Sequence, residues 1–231
     1  MTIEISAKRV ARTLLVIVLL LVLAGVAGQF SRSELGRPAG RGWIQKFDLN
    51  RENNVPTWYS TAILLLCSPL LAAIALAKTK QRDPYARHWQ ALAVIFLLLS
   101  LDEAASIHEL VGARLRHTLP TSGVLLHAWV IPASILVLIT GLAYRKFMAA
   151  LPARSRRLFV AAAALYVGGA LGMEFIEGHY VGLYGNRNVI VVVIKTAKEL
   201  LEMLGIVVFL YALMSYLRLH VGEVRVRFKT R

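Results

Sequence analysis

The sequence predicts an all-α integral membrane bundle of six transmembrane helices, with both termini cytoplasmic. Three observations predict it. Hydrophobic residues make up 57% of the 231 residues, and mean hydropathy is +0.60. A soluble domain is nearer 45–50% apolar. The excess lies in six long blocks, and basic residues fall unevenly on the segments between them.

The blocks cover about 10–28, 57–77, 88–109, 124–144, 158–179 and 190–217, in a single transmembrane domain over 1–231. Crossing about 30 Å of hydrocarbon takes roughly 20 residues. Backbone in lipid must satisfy itself, so each block is a helix. The first block follows Lys8, Arg9 and Arg12. It is longer than a signal-peptide core and lacks an A-x-A site, so it reads as an uncleaved span. Segment 29–56 is the long outer loop. Its DLNRENN run sets Asp48, Asn50 and Glu52 at alternate positions, but Asn53 and Tyr59 stand where a calcium loop needs Gly and Glu. Trp43, Ile44 and Phe47 suit a short interfacial helix, and the loop is placed to cover a cavity. Pro56 suits the start of the second helix, with Trp58 and Tyr59 at an interface.

Seventeen Lys and Arg flank one side of the spans and eight the other; Lys195 and Lys198 fall within the sixth. The positive-inside rule puts the richer side, with both termini, in the cytoplasm. Six spans agree, since an even number returns the chain to its starting side. The net charge of +14 is therefore a topology signal, and no nucleic-acid partner is expected. The one cysteine, Cys67, allows no intrachain disulfide.

The unusual residues collect at one depth. At 1.5 Å per residue, Asp102 lies about 21 Å along the third span and Glu174 about 24 Å along the fifth. Both spans run outward. Glu103, His108, Glu109, Glu177 and His179 lie near or beyond those depths. His127 falls in the first turn of the fourth span, and Lys195, Lys198, Glu199 and Glu202 in the outer half of the sixth. Four helices thus bring ionisable groups to the outer leaflet, where each charge facing lipid costs about 2.5–3.5 kcal/mol at mid-membrane. A polar cavity open to the outside is expected.

Helical phase assigns faces. Asp102 and Glu109 share one, while Glu103 and His108 point elsewhere. Lys195, Lys198, Glu199 and Glu202 form one stripe, spaced so that Lys195 with Glu199 and Lys198 with Glu202 close as i,i+4 pairs. His127 beside Trp129 and His179 beside Tyr180 read as interfacial residues. Gly168 and Gly172, four apart, suit close helix packing.

Carboxylates with histidine suit a divalent metal such as Zn, Mn or Fe. The donor pool is Asp102, Glu103, His108, Glu174, Glu177, Glu199 and Glu202. Of these Asp102, Glu103, Glu174 and Glu202 are the catalytic candidates. No Glu-x-x-His, H-E-x-x-H or histidine-rich box accompanies them. The leading expectation is a metal-dependent membrane enzyme, a hydrolase or oxidoreductase, on a lipid or other amphiphilic substrate. An ion- or proton-coupled transporter is the alternative, but the inner halves of the spans offer few polar residues. A non-catalytic or haem-binding subunit, with an axial ligand from His108, His127 or His179, is the third class.

The stretches FDLNRENNVPTWYS (47–60) and SLDEAASIHE (100–109) resemble a bacterial family of polytopic inner-membrane proteins that carries no assigned activity. The resemblance extends through most of the spans. It implies the inner membrane; with the topology read from the basic residues, the site is then expected to face the periplasm or exterior. The chain departs from the multi-histidine pattern of the alkaline ceramidase and progestin-receptor-like hydrolases.

Overall fold

The computed structural model describes residues 6–34, 41–49, 51–119, 121–186 and 188–221. The side chains of Trp43 and Ile44, residue Asn50 and the basic tail beyond 221 lie outside the described residues. Among the described residues the structure is helical, without strands. The helices are α1 (Ala7–Glu34), α2 (Arg41–Lys46), α3 (Val55–Lys80), α4 (Ala86–Ala105), α5 (Ile107–Arg116) and α6 (Val130–Ala150). There follow α7 (Ala153–Val167), a π-helical segment (Gly168–Met173), α8 (Glu174–Tyr184) and α9 (Val189–Tyr216). Among the described residues six helical stretches are long and apolar enough to cross a membrane: Ala7–Gln29, Val55–Lys80, Ala86–Ala105, Val130–Ala150, Ala153–Tyr184 and Val189–Val221.

Local chemistry sets the boundaries. Asn54 caps α3, its side chain accepting from Thr57 N at 3.0 Å, and Pro56 occupies the first turn. Asn188 caps α9 through Ile190 N at 2.8 Å. The third span does not continue to residue 109. It stops at Ser106, which is left-handed at φ 51°. The Asp102 carboxylate accepts from His108 N at 2.7 Å, supplying a side-chain acceptor to the start of α5. The fourth span is displaced by six residues, to Val130–Ala150, so His127 precedes its helix.

Long α9 packs against α1, α3, α7 and the π segment, and α3 lies along α4. Their shared core includes Leu64, Leu71, Ile74, Trp89, Met203 and Leu213, each almost fully buried. Hydroxyls tie neighbouring helices together through backbone carbonyls: Tyr59 Oη donates to Leu14 O at 2.9 Å, Ser68 Oγ to Ala93 O at 2.9 Å and Ser100 Oγ to Thr61 O at 3.0 Å. Helix α6 is held at its ends, by Val130 at one and Phe147 and Tyr144 at the other; Leu136, Leu138, Ile139 and Leu142 between them are exposed. Such faces suit lipid.

The glycines that permit close approach are not the expected pair. No atom lies within 4 Å of a methyl placed at Gly168 or Gly172. Gly169 lies against α9, where a methyl would meet Lys198 O at 2.9 Å, and Gly205 lies against α7, where it would meet Tyr166 N at 2.6 Å.

Candidate functional site: a charged cavity at one end of the bundle

The turn at Ser106, with α5, α8 and the first half of α9, surrounds a cavity of about 800 Å³; Asp102 stands behind its wall and reaches it through His108. The loop before α3 and the turn before α6 complete its wall. Exposed Arg51, Glu109 and Arg116 stand at its mouth.

Two imidazoles are each held between carboxylates. His108 places Nδ1 3.0 Å from Asp102 Oδ2 and Nε2 3.1 Å from Glu52 Oε1. His127 places Nδ1 3.5 Å from Glu174 Oε1 and Nε2 3.4 Å from Glu177 Oε1. Trp129 links the two sets: its Nε1 donates to Glu174 Oε1 at 3.2 Å, and its ring lies 4.8 Å from that of His108. Lysines supply the balancing charge. Lys198 Nζ is 2.5 Å from Glu174 Oε2 and Lys195 Nζ is 3.3 Å from Glu177 Oε1. Glu174 and Glu177 are 4% and 3% exposed, so they need these partners.

Several expectations are corrected here. The break at Ser106 turns His108 back onto Asp102, although continuous phase had placed it on another face from Asp102. The lysines pair across to α8 rather than along α9. His127, read as interfacial, joins the two α8 carboxylates. Glu52, weighed only as part of a failed calcium loop, pairs with His108. His179 is exposed, its ring edge-on to Tyr180 at 5.6 Å, and does not line this cavity.

The seven expected metal donors fall into three groups. Asp102 and His108 form one, with Glu52. Glu174 and Glu177 form the second, with His127 and both lysines. Glu103, Glu199 and Glu202 form the third, near enough to interact electrostatically. Within it Glu202 Oε1 is buried with no hydrogen-bond partner among the described residues. Among the described residues no three His, Cys, Asp or Glu side chains converge as a metal site would require. The donor set thus does not fit a single metal ion as it stands.

Below this level the bundle is closed by rings. Phe96 stacks on Phe209 at 4.3 Å, Phe159 meets Phe209 at 5.0 Å and Trp89 meets Phe147 at 5.0 Å. The charged cavity therefore lies at one end; the Lys78–Asp83 pair, 3.2 Å apart, lies at the other.

The family model described as Domain of unknown function (DUF8692) matches residues 13–217. The chain belongs to this family. The match runs from α1 into the end of the last span, so every element of the cavity lies within the DUF8692 domain. No curated protein and no solved structure matches the chain.

Electrostatics at the cavity mouth can be tested by titration. Burial opposes the charge on His108, but its hydrogen bonds to Asp102 and Glu52 outweigh it and raise the imidazole to about 10. Burial likewise opposes the charge on Glu52, yet its bond to His108 holds the carboxyl below its usual range. A raised histidine stabilises the fold fully below its unfolded value of about 6.5. That stabilisation is lost as pH rises through 10. Melting temperature should therefore fall between pH 7 and pH 10 more steeply in the wild type than in His108→Gln. Parallel curves would contradict the pairing.

Proposed function

We propose that this chain is a membrane-embedded enzyme that carries out acid–base chemistry on the polar group of an amphiphilic substrate. The observation that carries the reading is the one-ended cavity in which His108 is gripped by two carboxylates and His127 lies within ion-pair distance of two more. Its volume of about 800 Å³ falls in the range of small-molecule sites.

The roles follow from chemistry. Asp102 orients the His108 ring through Nδ1 and its backbone through N, leaving Nε2 directed at Glu52. An imidazolium so placed donates a proton to a leaving or developing oxygen. His127, between Glu174 and Glu177, is the partner that accepts one. Lys195 and Lys198 neutralise those carboxylates and offer ammonium donors to charge that develops during reaction. Positioned acid–base groups of this kind contribute about 10²–10⁴-fold in rate. The lysines already supply the positive charge that a divalent cation would bring to Glu174 and Glu177, which favours metal-free proton transfer at that wall. The ring stacks beneath the cavity disfavour a continuous transport route.

Incubation of the purified protein with a bacterial polar-lipid extract, followed by mass spectrometry, tests this. The wild type should deplete a component that His108→Gln spares. Proton flux through the protein in liposomes, with no lipid turned over, would replace this reading with the transporter.

A further inference from the structure

Glu52 belongs to the loop that leads into α3, where Asn53 adopts a left-handed φ of 58°. The loop is anchored from behind. Asn54 Nδ2 donates to Asp48 O at 2.7 Å and to Arg51 O at 2.5 Å, and Gln29 Nε2 donates to Asp48 Oδ1 at 2.6 Å. Forward of that anchor, Glu52 reaches His108 Nε2 with one oxygen at 3.1 Å. Its other oxygen is buried and incompletely satisfied, with the Ser106 hydroxyl and the Lys198 charge helping to hold the carboxylate ionised. An incompletely satisfied carboxylate therefore covers the one ring nitrogen of His108 that Asp102 leaves free.

The surrounding charges suit an anion that takes its place. Arg116 lines the same cavity, is exposed, and has no ion-pair partner among the described residues. Glu174 and Glu177 on the cavity wall are matched by Lys198 and Lys195, so they repel an incoming anion less than their number suggests. Exposed Glu109 at the mouth and Glu199 on the wall are the remaining carboxylates that line the cavity. An anion replacing Glu52 keeps the His108 N–H paired and gains Arg116. A neutral or cationic group gains neither.

We infer that Glu52 is a built-in stand-in for the anionic group of the substrate, a phosphate or carboxylate on an amphiphile that displaces it from His108. This rests on the acid–base reading of the cavity and adds the substrate's charge.

Binding of dodecyl phosphate, dodecanoate and dodecyltrimethylammonium to the full chain in neutral detergent, followed by calorimetry, tests it. Glu52→Gln should tighten the preferred anion about tenfold, the order expected for one hydrogen bond to a charged group. The cation should be unaffected. Comparing the two anions distinguishes phosphate from carboxylate. Arg116→Gln, at an exposed position, should weaken the same anion about tenfold with the native loop intact. Unchanged anion affinity in Arg116→Gln, or equal or weaker affinity in a folded Glu52→Gln, overturns the inference. Asp102-dependent turnover of a neutral or cationic amphiphile also overturns it while sparing the enzyme reading. Anion binding as expected, with no amphiphile of any charge turned over, supports the inference and removes the enzyme reading.

Discussion

Lys198→Met is expected to destabilise the protein by about 3–5 kcal/mol, the cost of stranding one member of a buried ion pair. At roughly 2–4 °C per kcal/mol for a chain of this size, the melting temperature falls by roughly 6–20 °C. The physical reason is local. Glu174 is 4% exposed, and its Oε2 lies 2.5 Å from the Lys198 ammonium. The same lysine interacts with Glu199 and Glu202, so its loss leaves three carboxylates less compensated. His127 and Trp129 still reach Glu174, which limits the loss. The double variant Lys198→Met/Glu174→Gln should recover a good part of the stability, because less unpaired charge remains. A double variant as unstable as the sum of the two singles would show that the pair does not act as described.

Gly205→Ala should cost about 3 kcal/mol, the upper end of the usual range for overpacking. Its added methyl would sit 2.6 Å from Tyr166 N and 2.9 Å from Tyr166 Cα, both backbone atoms that cannot rotate away. Helices α7 and α9 must then separate at the level just beneath the carboxylates. Gly172→Ala supplies the contrast, since nothing lies within 4 Å of its methyl. That variant should melt within a degree or two of the wild type. Equal losses at the two positions, measured by thermal unfolding in detergent, would contradict this packing.

Hydropathy made the six spans legible because each holds an apolar run long enough to cross, although it set the fourth six residues early. Rise per residue and alternating direction were enough to gather Asp102, Glu174 and Lys198 toward one end of the bundle. Side-chain partners were not legible, for identifiable reasons. Helical phase carried through residue 106 fails because the Asp102 carboxylate captures His108 N and Ser106 turns left-handed. Nothing apolar marks that break. Likewise Lys195 and Lys198 satisfy an i,i+4 rule within α9, but the buried carboxylates of α8 compete and win. Their burial is a tertiary fact. The expected Gly168 and Gly172 contact missed by one residue: the π-helical turn over Gly168–Met173 shifts the phase, and Gly169 faces α9 instead. Glu52 and His127 lie outside long helices, where periodicity has nothing to say. The one available signal was a carboxylate in a loop already placed over the cavity, and a histidine two residues from Trp129.

The most direct test of the account is the turnover of polar lipids by Asp102→Asn beside the wild type. Asparagine keeps the size of the side chain and an oxygen for His108 N, but it no longer presents a carboxylate to Nδ1. The account predicts a folded protein whose turnover of the depleted lipid falls at least about 100-fold, as for a mispositioned acid–base group. Turnover equal to that of the wild type, from a folded Asp102→Asn protein, would contradict it.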